Sequence, residues 1–330
     1  MTSTVMKFSA RTVALLAALL AAAPAGAQDA KLWRHGVIEP KSDAGIFLMV
    51  TNGFAEKQGV KLEIMPFKSD QVGLRALIAG ELDSYEGALT GTVVAASKGV
   101  DVKLLGCHWQ GLPHGIFVRN SITSAQDLRG KTFAISTPFS HPDYLAKALL
   151  AMNNIPQSEV KFANMGGDVD RFKALVAGVV DATVVSSEYV PIAEKNGVHL
   201  MISAREVLPE YIRLCIFSTE RSLAKRDAAI GFMAAEMKAL RYALTHRAEA
   251  LQLTRKITST KVDDPRPEYI YDDAVKTSAV DPEVGIPMNK IRWMQDRLIK
   301  DGQLSASFDI GKMIEPGIRA KALELVASGH

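Results

Sequence analysis

Apolar and polar positions alternate over Lys31–Ile38 and Val60–Phe67, which predicts two strands; Ile46–Gln58 and Gln71–Ala79 carry helical spacing instead. Strand and helix in turn predict an α/β fold. The pattern then repeats: Leu74-Arg-Ala-Leu-Ile-Ala-Gly80-Glu-Leu-Asp83 is echoed 98 residues later by Phe172-Lys-Ala-Leu-Val-Ala-Gly178-Val-Val-Asp181. Each copy reads helix, glycine, strand, because glycine past a helix end takes the left-handed conformation readily and the chain then enters a β-prone run such as Ala182-Thr-Val-Val185. Unrelated units can converge on so short an ending. Upstream, however, Val60-Lys-Leu-Glu-Ile-Met65 is matched 100 residues on by Val160-Lys-Phe-Ala-Asn-Met165, which favours a repeat and hence two similarly built lobes.

Between the echoes, Leu112-Pro-His-Gly-Ile-Phe-Val-Arg119 reads as a strand crossing into the second lobe, and Tyr211-Ile-Arg-Leu-Cys-Ile-Phe217 as one carrying the chain back. Two crossings make a hinge with a cleft beside it. Lobe 1 is expected over 28–118 and 217–330, and lobe 2 over 119–216. From Ser222 helical spacing dominates; Phe232, Met233 and Met237 are expected in a core packed on the first lobe, Asp264-Pro-Arg-Pro267 interrupts the helices, and Ile291–Leu298 resumes them.

Composition narrows the class. The 330 residues hold 39 basic and 36 acidic side chains, a net charge of +3 with no basic run, which argues against a nucleic-acid binder. Residues 1–27 read as a secretory signal: Lys7 and Arg11 open it, Val13–Ala23 is apolar, and Ala25-Gly26-Ala27 offers small residues for cleavage. No apolar run reaches the roughly 20 residues of a spanning helix. An exported, periplasmic, monomeric protein that is not membrane-embedded is expected. Cys107 and Cys215 lie in apolar strands, where buried thiols are the expectation and a disulfide the alternative.

In order along the chain, Phe54-Ala-Glu-Lys-Gln-Gly59-Val-Lys-Leu-Glu63, Ala79-Gly80-Glu81-Leu82-Asp83, His114-Gly-Ile-Phe-Val-Arg119, Asp127-Leu-Arg-Gly-Lys131 and Ala177-Gly178-Val179-Val180-Asp181-Ala182 resemble the type II periplasmic substrate-binding proteins of ABC importers. Within these, the resemblance is to the group that binds nitrate, sulfonates, taurine and thiamine precursors, and it covers nearly all the chain past the signal. It implies a two-lobed fold with a two-strand hinge, a small-molecule ligand closed between the lobes, delivery to an importer permease, and no catalysis or cofactor.

In such a fold the ligand meets loops at strand ends and helix starts, where free N–H groups favour an anion. Glu39-Pro-Lys-Ser-Asp43 supplies Glu39 and Ser42, and Phe67-Lys-Ser-Asp-Gln71 supplies Phe67, Ser69 and Gln71, with capping alone an alternative for the serines. Ser136-Thr-Pro-Phe-Ser-His-Pro-Asp-Tyr144 interleaves hydroxyls and aromatics, so Thr137 and Ser140 suit a carboxylate or sulfonate and Phe139 and Tyr144 an apolar body. Glu86 and Glu188 stand at matched strand ends and would accept hydrogen bonds from a pyrimidine. Trp109 and His114 flank the first crossing, Gly167 brings backbone close, and Arg213 must snorkel, pair with an acid or face the ligand. A small organic anion, an aromatic carboxylate or a sulfonate, is the expected ligand; a pyrimidine-like thiamine precursor is the runner-up.

No zinc spacing links His108, His114 and His141, and no G-x-S-x-G elbow is present. An exported enzyme on the same fold is the remaining alternative. The cysteine-rich metal motif of a related thiamine-pyrimidine synthase is missing.

Overall fold

The computed structural model describes residues 30–38, 44–67, 69–138 and 140–329, so the expected export segment lies outside the described residues. Two five-stranded mixed sheets carry the chain. The first holds β1 (Lys31–Ile38), β2 (Val60–Phe67), β3 (Ser84–Gly87), β4 (Lys103–Trp109) and β10 (Leu214–Ser218), in the order β2-β1-β3-β10-β4. The second holds β5 (His114–Arg119), β6 (Thr132–Ile135), β7 (Lys161–Asn164), β8 (Ala182–Ser186) and β9 (Val198–Ser203), in the order β7-β6-β8-β5-β9. The two orders are the same under the repeat. In each sheet the fourth place goes to a strand that has just crossed over, antiparallel to both neighbours, while the first three strands run parallel. The sheets change over between Trp109 and His114 and between Ser203 and Leu214; the expected boundaries fall at the far end of β5 and inside β10.

In the first lobe β1 leads to α1 (Ala44–Thr51) and α2 (Phe54–Lys57), β2 to α3 (Asp70–Ala79) and β3 to α4 (Leu89–Ser97). The single helix expected over Ile46–Gln58 is broken where Gly53 takes a φ of +67°. In the second lobe β6 leads to α5 (His141–Met152), β7 to α6 (Asp168–Val176), β8 to α7 (Val190–Ala193) and β9 to α8 (Ala204–Val207). After β10 come α9 (Glu220–Leu223), α10 (Arg226–Thr245), α11 (Arg247–Thr258), α12 (Arg266–Lys276), α13 (Met288–Lys300) and α14 (Pro316–Ala327). Phe232, Met233 and Met237 of α10 are fully buried with Trp33, Val37 and Met49, forming the core on one face of the first sheet. Among the described residues no helix is long and apolar enough to cross a membrane.

The echoed residues have one structural job in both lobes. Asp83 donates its N–H to the Arg34 carbonyl (2.8 Å) and accepts from the Arg34 N–H (3.0 Å); Asp181 does the same with Thr132 at 2.9 and 3.0 Å. Each aspartate thereby pins the start of its strand to the adjacent one. Gly80 (φ +83°) and Gly178 (φ +73°) end the preceding helices, and each lies beneath an arginine guanidinium, Arg221 and Arg119 respectively. Burial raises the proton affinity of Asp83, but hydrogen bonds from Arg34 and Lys225 more than offset this and hold its carboxyl below the usual range.

Cys107 and Cys215 differ from the buried-thiol expectation: they form a disulfide. Register explains it, since β4 and β10 are antiparallel neighbours, which brings the two cysteines side by side. Arg205 of α8 makes a two-pronged ion pair with Asp273 of α12 (3.1 and 2.9 Å), and Gln303, just past α13, reaches the Tyr144 hydroxyl at 3.2 Å, so the C-terminal region holds on to the second lobe.

Candidate functional site

The repeat places one aspartate at the start of α3 and one at the start of α6. Asp70 accepts from the Ala88 N–H (2.9 Å) and the Tyr85 hydroxyl (2.8 Å). Asp168, 98 residues on, accepts from the Ser186 N–H (2.9 Å) and pairs with Arg171. Arg171 is nearly fully buried and also donates to the carbonyls of Val184 (2.9 Å) and Gly166. A buried guanidinium with a carboxylate and two carbonyls is satisfied, and it fixes the Gly166-Gly167 turn.

His114 opens β5 opposite Ser186. Its Nε2 lies 3.1 Å from Nε2 of His141, the first residue of α5, and 3.9 Å from the Asp168 carboxylate. Two ring nitrogens that close share one hydrogen, one donating and one accepting, so the pair excludes two charges. Burial holds the His114 proton affinity well below that of a free imidazole, and His141 beside it adds to the effect. Burial also lowers His141 to about 4, against the opposing pull of Asp168. Asp70 of the first lobe and Arg213 of the crossing both act electrostatically on His141.

Arg213 precedes β10, half-buried, with its guanidinium 4.7 Å above the Trp109 ring. Among the described residues no carboxylate pairs with it. Of the three fates open to it, acid pairing is therefore not realised; the ring supports the cation, and its charge lowers the proton affinity of both histidines.

The other sequence candidates divide as follows. Glu39, Ser42 and Phe139 lie outside the described residues. Phe67 is half-buried against Gly36; Ser69 and Gln71 are exposed at the start of α3, and Ser69 makes no side-chain cap. Thr137 is exposed, and the Ser140 hydroxyl donates to its carbonyl at 2.6 Å. Gly167 stands just before α6. Glu86 is buried beneath the sheet, its carboxylate 3.4 Å from His108, whose other nitrogen is 3.3 Å from Glu236 of α10. Glu188 is buried beside Tyr189, over which Arg266 of α12 sits at 5.5 Å. Tyr144 is buried in the interlobe core. The structure thus gathers His114, Trp109 and Arg213, with Ser140 and Gly167 on the flanking helix starts, and turns Glu86 and Tyr144 inward. Among the described residues no group of three His, Cys, Asp or Glu is arranged to hold a metal ion.

The sequence alone does not single out His141, Asp168 or Asp70 as ligand residues. The signal for the aspartates was present: both precede the echoed helix at the same 98-residue offset.

The sequence matches the family described as NMT1/THI5 like over residues 41–250. No curated protein matches it. In fold it is similar to the periplasmic aliphatic sulphonate binding protein SsuA from Escherichia coli, at 18% identity, with 88% of this chain and 99% of that one covered and a TM-score of 0.72. The alkanesulfonate-binding protein SsuA from Xanthomonas axonopodis, bound to MOPS, follows at 16%, 87% and 98%, and 0.70. The periplasmic nitrate-binding protein NrtA from Synechocystis gives 14%, 90% and 89%, and 0.72. At these identities the likeness is one of fold: two lobes, each with its own sheet.

Proposed function

Because this chain belongs to the NMT1/THI5-like family, we propose that it is the extracytoplasmic receptor of an ABC importer, holding a small organic anion between its lobes and handing it to a permease without chemical change. The observation that carries the ligand's sign is Arg213: a half-buried guanidinium at the crossing, stacked on Trp109, with no carboxylate partner among the described residues. A half-buried guanidinium held over an aromatic ring, with no carboxylate partner among the described residues, is a ready counter-charge for an anion. A sulfonate or carboxylate between Arg213 of the return crossing and the His114–His141 pair at the start of α5 in the second lobe gains charge-assisted hydrogen bonds from both, which favours the form that brings them together. The sulfonate- and nitrate-binding titles of the structural neighbours agree with an anionic ligand. A pyrimidine ligand has less support, because the Glu86 carboxylate meant to receive its N–H groups faces His108.

A thermal-shift screen of the protein lacking residues 1–27 against sulfonates, carboxylates, nitrate, pyrimidines and amino acids tests this, with mass spectrometry of each compound that raises the midpoint. A stabilising organic anion recovered unchanged is the expected result. Stabilisation by neutral or cationic compounds alone overturns the anion reading, and recovery of a converted compound restores the enzyme alternative.

A further inference from the structure

Two imidazoles whose Nε2 atoms lie 3.1 Å apart have a countable set of hydrogens. While both rings are neutral they hold two: one lies between the Nε2 atoms of His114 and His141, and the other is on the Nδ1 of whichever ring accepts across that bridge. The Nδ1 of the donating ring is then bare. One further proton can enter at that bare nitrogen with the bridge intact, and the bridging hydrogen lets the added charge rest on either ring. A second would put hydrogen on both Nε2 atoms and break the bridge.

The surroundings decide when the further proton enters. His114 is 4% exposed, and its Nδ1 makes no hydrogen bond to a described residue. Four charged side chains act on the pair: Asp168 and Arg171 of α6, Asp70 at the start of α3, and Arg213 just before β10. Asp168 is already engaged by Arg171 and the Ser186 N–H, and Asp70 by the Tyr85 hydroxyl and the Ala88 N–H. Burial, with the two arginines, outweighs the carboxylates and keeps the further proton off, holding His141 at about 4. An anion seated at Arg213 reverses that balance. It cancels the field of the cation that pairs with no carboxylate among the described residues, and it offers an acceptor to an imidazolium N–H.

We propose that the His114–His141 pair takes up one proton from solvent when an anion binds beside Arg213 and returns it when the anion leaves. The inference rests on the anion-receptor reading above. Anion and proton are then joint ligands, each strengthening the binding of the other by the same factor. Acid surroundings load the receptor, and neutral ones favour release.

Titration calorimetry at about pH 5.5 and about pH 8, on either side of a free imidazole's value, reads this out. The probes are methanesulfonate, benzenesulfonate, benzoate and nitrate, which are anions at both. Pairs of cationic buffers with different ionisation enthalpies serve at each pH, because a sulfonate or carboxylate buffer would compete for the site. An opposite charge close by strengthens proton binding roughly tenfold to a thousandfold. At the middle of that range, starting from about 4 at His141, uptake is about 0.7 proton per anion at the lower pH, and affinity there is about fourfold greater than at the higher. His141→Gln keeps an N–H for the His114 ring and removes the partner that shares its proton, so whatever affinity remains should show no uptake. Uptake that persists in this variant belongs to another group and overturns the assignment. If the variant does not fold, imidazole nitrogen shifts from magnetic resonance decide the same point: at the lower pH the pair's signals should move to the protonated position only with the anion present. Binding without uptake in the unaltered protein overturns the inference and leaves the receptor reading standing. If none of the four probes binds at either pH, the anion-receptor reading fails and this inference with it.

Discussion

Asp70 and Asp168 occupy the same place in the repeat, and each ties the first turn of its helix to the end of a neighbouring strand, at Ala88 in one lobe and Ser186 in the other. Their second partners differ. Asp70 takes the Tyr85 hydroxyl, a neutral donor, whereas Asp168 takes the guanidinium of a buried arginine and stands 3.9 Å from a histidine. The shared bond belongs to the scaffold, and the divergent one shows where a duplicated frame has been given charge. The same contrast runs through the sheets: only the first has its crossing strand bonded to its neighbour by a disulfide.

The largest test of that contrast is removal of the disulfide. Cys107→Ser with Cys215→Ser opens a loop spanning 108 residues, and chain entropy sets the loss at roughly 4 to 5 kcal/mol. Hydrogen exchange should rise in β3, β4 and β10 and not in β6 and β8; equal loosening of both sheets would deny the asymmetry. Next, Asp168→Ala strands a buried guanidinium and should cost about 3 to 5 kcal/mol, against about 1 to 2 kcal/mol for Asp70→Ala, as read by denaturant unfolding. Equal costs would mean that the charge in the second lobe carries no extra weight.

Arg213→Gln should weaken anion binding by roughly tenfold to a hundredfold with little change in melting, since among the described residues no carboxylate loses its partner. A smaller effect is expected with pH. His141 is held at about 4 in the folded chain against about 6.5 unfolded. Between these values the unfolded chain binds more protons, so stability rises with pH from 4 to 6.5 and flattens above. Asp70, Asp168, Arg171 and Arg213 all act on this ring, and His141→Gln should reduce the slope in that window. Smallest, Gly80→Ala and Gly178→Ala should each cost about 1 kcal/mol for a left-handed φ, with Gly80→Ala the larger because its new methyl must also push the Arg221 guanidinium aside.

Much of the frame was legible in the chain because its signals are local. A helix-ending glycine and the aspartate after it depend on neighbours in sequence, and the 98-residue echo carried both. The two crossings were legible as apolar strands. The disulfide was less so, because it depends on which strands become neighbours: β4 and β10 are separated in sequence by the whole of the second lobe. Glu86 shows the same limit. Its place at a strand end is readable, yet the face it takes is decided by His108 and by Glu236, 150 residues away on α10. His141 lies inside a loop whose readable feature is its hydroxyls, and only the fold reveals the ring of His114 beside it.

The insertion of β10 between β3 and β4 also sets an order in time. Residues 114–203 contain every strand of the second sheet, so that lobe can complete its hydrogen bonding as soon as its own stretch of chain is available. The first sheet cannot. Until Leu214–Ser218 arrives, β4 has no strand partner within it and β3 keeps an open edge. A chain emerging amino end first therefore finishes its second lobe before its first, and β3 and β4 stay exposed to wrong pairing until the last crossing is made.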